Sequence, residues 1–301
     1  MAQFNSLLVA LDFRECNAKI CQEAIEIAEK MKAEVTLIHV IEYLSYYPYY
    51  PYDEEKVYND LRTEITEKLD KFGALFEKAG VHVNPHIIRK GKTPKVICDC
   101  ADEINACGII LGLGEHYILE NLIGSTADKV TRMAKQAVLL MNTHRREEVF
   151  DRILCAYDFS ENSDRALGSA IYMAKIFNAP LDIVHTIHEH FYYNPAAPVM
   201  DPTSPFYTDY VREMDNAKET VSKKIAETLS KLDIEGIQFN VLIRRGEPVN
   251  EISKVIDEQH STLLVIGASG HNAFMRFILG STTEKLLRKA PCSIMTLKEP
   301  H

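Results

Sequence analysis

The feature that most constrains the fold is an internal repeat. LLVALDF at residues 7–13 returns as ILCAYDF at 153–159, and EVTLIHVI at 34–41 returns as PLDIVHTI at 180–187, both at the same offset. Further along, IIRKGKTPKVI (87–97) pairs with LIRRGEPVNEI (242–252), and IILGLG (109–114) with LVIGAS (264–269). Gly124-Ser125-Thr126 pairs in turn with Gly280-Ser281-Thr282. The order is unbroken, so the chain is a tandem duplication. At 301 residues it has room for two cores of ordinary size. The expected units are 1–143 and 151–301, joined by the charged THRREEVFD at 143–151.

Each half alternates short apolar runs with helical stretches. In the second half the spacing predicts strands near 152–156, 181–187, 238–244, 262–267 and 293–297, and helices near 161–177, 207–231, 248–258 and 281–290. The segment 161–177 carries Ala166, Ala170, Met173, Ala174 and Phe177 at helical intervals. Short strands joined by helices imply parallel β–α–β units with right-handed crossovers. The fold class is therefore α/β: a doubly wound parallel sheet, present twice, with helices on both faces. Ligands of such sheets bind at the carboxyl ends of the strands, where strand order reverses.

GASGHNAFMRFILGST, at 267–282, falls at that place. Gly267 closes a predicted strand and Ser281-Thr282 opens a helix, whose first amides point outward without partners and attract an anion. Gly270 and Gly280 let the main chain approach phosphate oxygens with no Cβ in the way. Ser281 and Thr282 add hydroxyl donors. Gly-Ser-Thr also makes a plain helix cap with no ligand, and spacing alone leaves both readings open.

The residues resemble the universal stress protein family in its tandem form. The carrying motif, G-x2-G-x9-G-[ST], is met in full by Gly267, Gly270, Gly280 and Ser281. With it come the strand-end aspartates of ALDF and AYDFS, the HV and HT of the second strand, and GEP before the third helix. The resemblance spans nearly the whole chain, twice. It implies a Rossmann-like, adenine nucleotide α-hydrolase-like fold with ATP, together with Mg²⁺, across the strand ends. By that resemblance Asp158 and the backbone near Thr186 hold the adenine and ribose, and Ala156 and Ile266 line the pocket. Gly267, Gly270, Gly280, Ser281 and Thr282 wrap the phosphates.

The first half departs from the motif. After Gly112 the second glycine position holds Glu115, with eight residues before Gly124; starting from Gly114 restores the nine but shortens the first gap. Glu120 stands where the second half has Arg276, and a carboxylate beside a polyphosphate is unfavourable where a guanidinium is favourable. The expectation is one working nucleotide site, in the second half, and a degenerate first half.

A formal net charge of −9 argues against a nucleic-acid surface, and no apolar run is long enough to span a membrane. The start, MAQFNSLLVALDF, has no basic region before its apolar run, and the seven cysteines form no disulfide framework. Both point to a cytoplasmic chain with reduced thiols. His185, His188 and His190 form a candidate zinc cluster, though polar loop chemistry explains them more simply. Aromatic, proline-rich inserts at 43–52 and 190–207 offer interface surface or close their own half. Neither a G-x-S-x-G elbow nor a G-x4-G-K-[ST] loop is present, so efficient turnover is not expected. Slow ATP hydrolysis and a nucleotide-free scaffold are the rival readings. Because the halves are homologous they are expected to pack as an internal pseudo-dimer, and the family resemblance implies pairing through the last strands, 137–141 against 293–297, with association of two chains left open.

Overall fold

A computed structural model describes residues 5–42, 54–113, 124–143, 150–187, 205–268, 279–289 and 291–298. The first half runs β1 (Ser6–Ala10), α1 (Asn17–Met31), β2 (Glu34–Ile41), α2 (Glu54–Lys78), β3 (Val83–Lys90), α3 (Thr93–Glu103), β4 (Gly108–Gly112), α4 (Ser125–Met133) and β5 (Ala137–Met141). The second repeats it as β6 (Ile153–Ala156), α5 (Glu161–Phe177), β7 (Leu181–Ile187), α6 (Pro205–Leu229), β8 (Phe239–Arg245), α7 (Pro248–Gln259), β9 (Leu263–Gly267), α8 (Ser281–Lys289) and β10 (Ser293–Leu297). The predicted elements of the second half are all present, with ends displaced by no more than two residues.

All ten strands form one sheet, ordered β3-β2-β1-β4-β5-β10-β9-β6-β7-β8. Within each half every pairing is parallel, and the halves meet at β5 and β10, which run antiparallel with Leu140 opposite Ile294 and Leu139 opposite Met295. This is the predicted pairing through the last strands, and it removes two edges that would otherwise expose unpaired backbone. The central strands are largely apolar, as AVLLM in β5 and LLVIG in β9, because helices cover both faces. The outer strands β3 and β8 are only half-buried, and β3 carries Pro85, which an edge tolerates.

The helices divide between the faces. One apolar layer packs α1, α2, α5 and α6 on the sheet through residues such as Ile27, Leu69, Phe76, Leu167 and Ile225. The other packs α3, α4, α7 and α8 through Ile97, Val130, Val255 and Leu286. In each half the order reverses between the first strand and its two neighbours, since β1 lies between β2 and β4, and β6 between β7 and β9. The two switch-point crevices therefore open at opposite ends of the shared sheet, because β5 and β10 run in opposite directions. Cys98 and Cys100 are free thiols buried on α3. Burial pushes the Cys98 thiol up to about 12, as expected for a structural thiol.

Candidate functional site

Each first strand ends in the dipeptide Asp-Phe, and each phenylalanine adopts positive φ, 62° at Phe13 and 64° at Phe159. A bulky residue in that region is costly, so its neighbours must hold it. A histidine from the next strand does so in both halves. His39 Nδ1 donates to the carbonyl of Leu11 (2.7 Å), and the Phe13 ring stacks on the imidazole at 4.4 Å. His185 Nδ1 donates to the carbonyl of Tyr157 (2.8 Å), with the Phe159 ring 5.0 Å away. Burial holds the His39 pKa below its ordinary value. These histidines brace the strand end and so fix the aspartate that follows it. His185 was a candidate metal ligand, and this bond gives it another task. Among the described residues no three His, Cys, Asp or Glu side chains cluster to hold a metal, while His188 and His190 lie outside the described residues.

The two aspartates are held differently. Asp12 Oδ1 accepts from Asn17 Nδ2 (2.6 Å), and the Arg14 guanidinium lies 3.3 Å from Oδ2. Asp158 Oδ1 instead accepts from the amide (3.0 Å) and hydroxyl (2.5 Å) of Ser160, which stands in the Arg14 position. Ser160 also caps α5, accepting from the Ser163 amide. Asp12 Oδ1 likewise accepts from the Arg14 amide (3.2 Å), so the two turns share that bond and differ in the side chain that follows: a guanidinium beside Asp12, a hydroxyl on Asp158.

In the second half Ala156 and Ile266 are register partners at the ends of β6 and β9, both buried. Thr186 lies two residues beyond Val184, the β7 partner of Ala156, and the Tyr157 amide bonds the Val184 carbonyl. The chain thus brings together Ala156, Asp158, Thr186, Ile266 and Gly267 at one end of the sheet, and Gly280, Ser281 and Thr282 open α8 beside them. Gly270 and Arg276 lie outside the described residues, as do Gly114, Glu115, Glu120 and the aromatic inserts.

Two glycines expected to meet phosphate have other work. A Cβ on Gly267 would stand 2.9 Å from the backbone carbon of Asn162, so this glycine lets the start of α5 pack on β9. The Gly280 amide is not free, since it donates to the Ala268 carbonyl (2.8 Å) and fixes where α8 begins. The first half copies both devices. Gly112 sits under Ile20, whose Cδ1 would be 2.7 Å from an added Cβ, and the Gly124 amide donates to Leu113. Only the second half adds a further tether, from buried Thr283 Oγ1 to the Gly267 carbonyl (2.8 Å). Sequence reading passed over Thr283, although its counterpart Ala127 lacks the hydroxyl.

The first half holds a cleft of about 430 Å³ at its strand ends, reaching from Asp12 and His39 to Gly112 and the Gly124-Ser125-Thr126 helix start. Its rim is charged by Arg14 and Glu42. The Glu42 carboxylate accepts from the Thr93 amide (3.3 Å), so the chain's own anion occupies the start of α3.

Fold and site together define a doubly wound α/β protein with paired strand-end ligand crevices. The family model "Universal stress protein family" matches residues 3–142 and again 150–298, and the chain belongs to that family. Universal stress protein YxiE of Bacillus subtilis is 25% identical over 159 residues, covering 50% of this chain and 100% of that protein. Single-unit relatives of this kind match one half, whereas tandem structures match both. A universal stress protein from Archaeoglobus fulgidus aligns with 99% of this chain and 97% of its own at a TM-score of 0.68 and 24% identity. A putative universal stress protein from Pseudomonas aeruginosa aligns with 98% and 93% at 0.64 and 19%. At these identities the structures speak to fold alone.

Proposed function

We propose that the protein binds ATP, with Mg²⁺, through its second half, and that it acts in stress response as a nucleotide-binding module signalling occupancy to its partners. The observation that carries this reading is local. The start of α8 is pinned by Gly280 and Thr283 to the end of β9, the parallel neighbour of β6, so Ser281 and Thr282 open a helix at the sheet end that also carries Ala156 and Asp158. The complete glycine motif supports it. Mg²⁺ would be met by phosphate oxygens and water, with Asp158 the carboxylate at hand.

The first-half cleft favours a second reading, in which that half also takes a ligand. Its Asp12–Arg14 pair and the Glu42 carboxylate make it a poor host for a polyphosphate, and a neutral or cationic ligand fits its charges better. Titration calorimetry of the full chain with ATP·Mg²⁺ tests the first reading. One nucleotide per chain, strongly weakened in Asp158→Ala and kept in Asp12→Ala, supports the proposal. No binding, or two equal sites, overturns it.

A further inference from the structure

Helices α4 and α8 lie side by side across the join of the two halves, and their charges are linked. Asp128 in the first turn of α4 pairs with Arg132 in its last turn (3.0 Å), and Glu284 in the first turn of α8 pairs with Arg288 (2.9 Å). Arg132 also reaches across the join, placing Nη2 3.4 Å from Glu284 Oε1. Lys298, at the end of β10, donates to the Arg132 backbone carbonyl and holds the end of α4 against the second half. The antiparallel β5–β10 pairing makes this possible, because it sets the last turn of one helix beside the first turn of the other. Among the described residues the reciprocal pair, Arg288 with Asp128, is not formed. The link runs one way, from the first half to the second.

Glu284 sits one turn past Ser281. A carboxylate there suits the helix dipole while the crevice is empty, and repels a polyanion that approaches the same amides. We propose that Arg132 of the first half is a positioning residue for the second-half site: it adds a second cation to Arg288 on Glu284 and so lowers the negative potential at the start of α8, where a polyphosphate is accepted. The site is then incomplete without the first half, whatever that half itself binds. This rests on the reading that the phosphates lie at the start of α8. Arg132 and Glu284 are each about a quarter to a third exposed, at 27% and 33%, so the effect is screened by salt yet not abolished.

The test compares the wild type with R132Q, E284Q and the double variant, each titrated as full chain with ATP·Mg²⁺ and with adenosine. R132Q is expected to weaken ATP binding about five- to tenfold, an effect that shrinks at high salt, with adenosine binding unchanged. In the E284Q background the same substitution is expected to cost less than twofold, and R132K, which keeps the charge, is expected to stay within twofold of the wild type. An unchanged ATP affinity in R132Q overturns the proposal, as does an equal loss in the E284Q background, for adenosine, or in R132K. A wild type that binds no ATP removes the underlying reading and the proposal with it. A wild type that binds ATP while R132Q is unaffected removes only the proposal.

Discussion

The first and second strand-end crevices share a frame and differ in their charges. Both use the same Asp-Phe turn braced by a histidine, the same strand-end glycine under a helix, and the same bond from the Gly-Ser-Thr amide back to the loop. Arg14 lies on Asp12 in the first half, whereas a carboxylate of the chain meets the start of the third helix in both, Glu42 at α3 and Glu247 at α7. In the second half Ser160 replaces the guanidinium, and Thr283 braces the helix start that the motif needs. A duplicated fold can thus preserve its architecture in both copies while the polar side chains at the two strand ends pair differently. Backbone packing and site chemistry are separable.

The sharpest way to break the comparison is at the glycines. Gly267→Ala drives a Cβ into the backbone of Asn162 and is expected to cost about 3 kcal/mol. Gly112→Ala meets only the flexible end of Ile20 and is expected to cost about 1 kcal/mol. Urea unfolding of the two variants measures the difference, and equal costs would mean that the halves pack alike. Next in size is the aspartate pair. Asp158→Ala removes a charged group at the proposed site and is expected to weaken ATP binding about thirtyfold, near 2 kcal/mol, while Asp12→Ala leaves it unchanged. Calorimetry reads both.

A third difference concerns acid. Burial raises the Glu23 carboxyl on α1 to about 7, against Lys19, which pulls it down. The second half carries Ser169 at that place. A carboxyl whose folded pKa lies above its unfolded value stabilises the fold below the unfolded value, near 4.3, and loses that contribution as pH rises toward 7. Wild type should therefore lose about 1–2 kcal/mol between those limits that Glu23→Gln does not lose. Melting curves across pH 4.5 to 7 check this, and parallel profiles would sink it. The smallest expected effect is at Thr283. Thr283→Val removes the bond to Gly267 and leaves that buried carbonyl unpaired, at a cost of about 1 kcal/mol and a few-fold loss of ATP affinity. A change in stability with no change in affinity would make the tether purely structural.

Much of this was legible in the sequence. The repeat and the alternation of strands and helices follow from apolar periodicity and punctuation, which are local properties, whereas the meeting of the two last strands was expected from the family resemblance. The strand-end position of Asp158 and the helix start at Ser281 are legible for the same reason. The roles of Gly267 and Gly280 were read as ligand contacts, and the structure gives them packing and anchoring duties. The left-handed turn at Phe13 and Phe159 left no signal, since phenylalanine is not a turn residue and it is rings from elsewhere in the fold that pack beside it.

By itself the sequence determined that there would be two doubly wound units and where their crevices would open. Hydrophobic spacing is written along a single segment and needs no distant partner. The tertiary structure alone decided which amides were already used, which carboxylate met a cation, and that Arg132 would reach Glu284. Each of those depends on groups that can be more than a hundred residues apart in the chain, and their approach is set by how ten strands and their helices pack together.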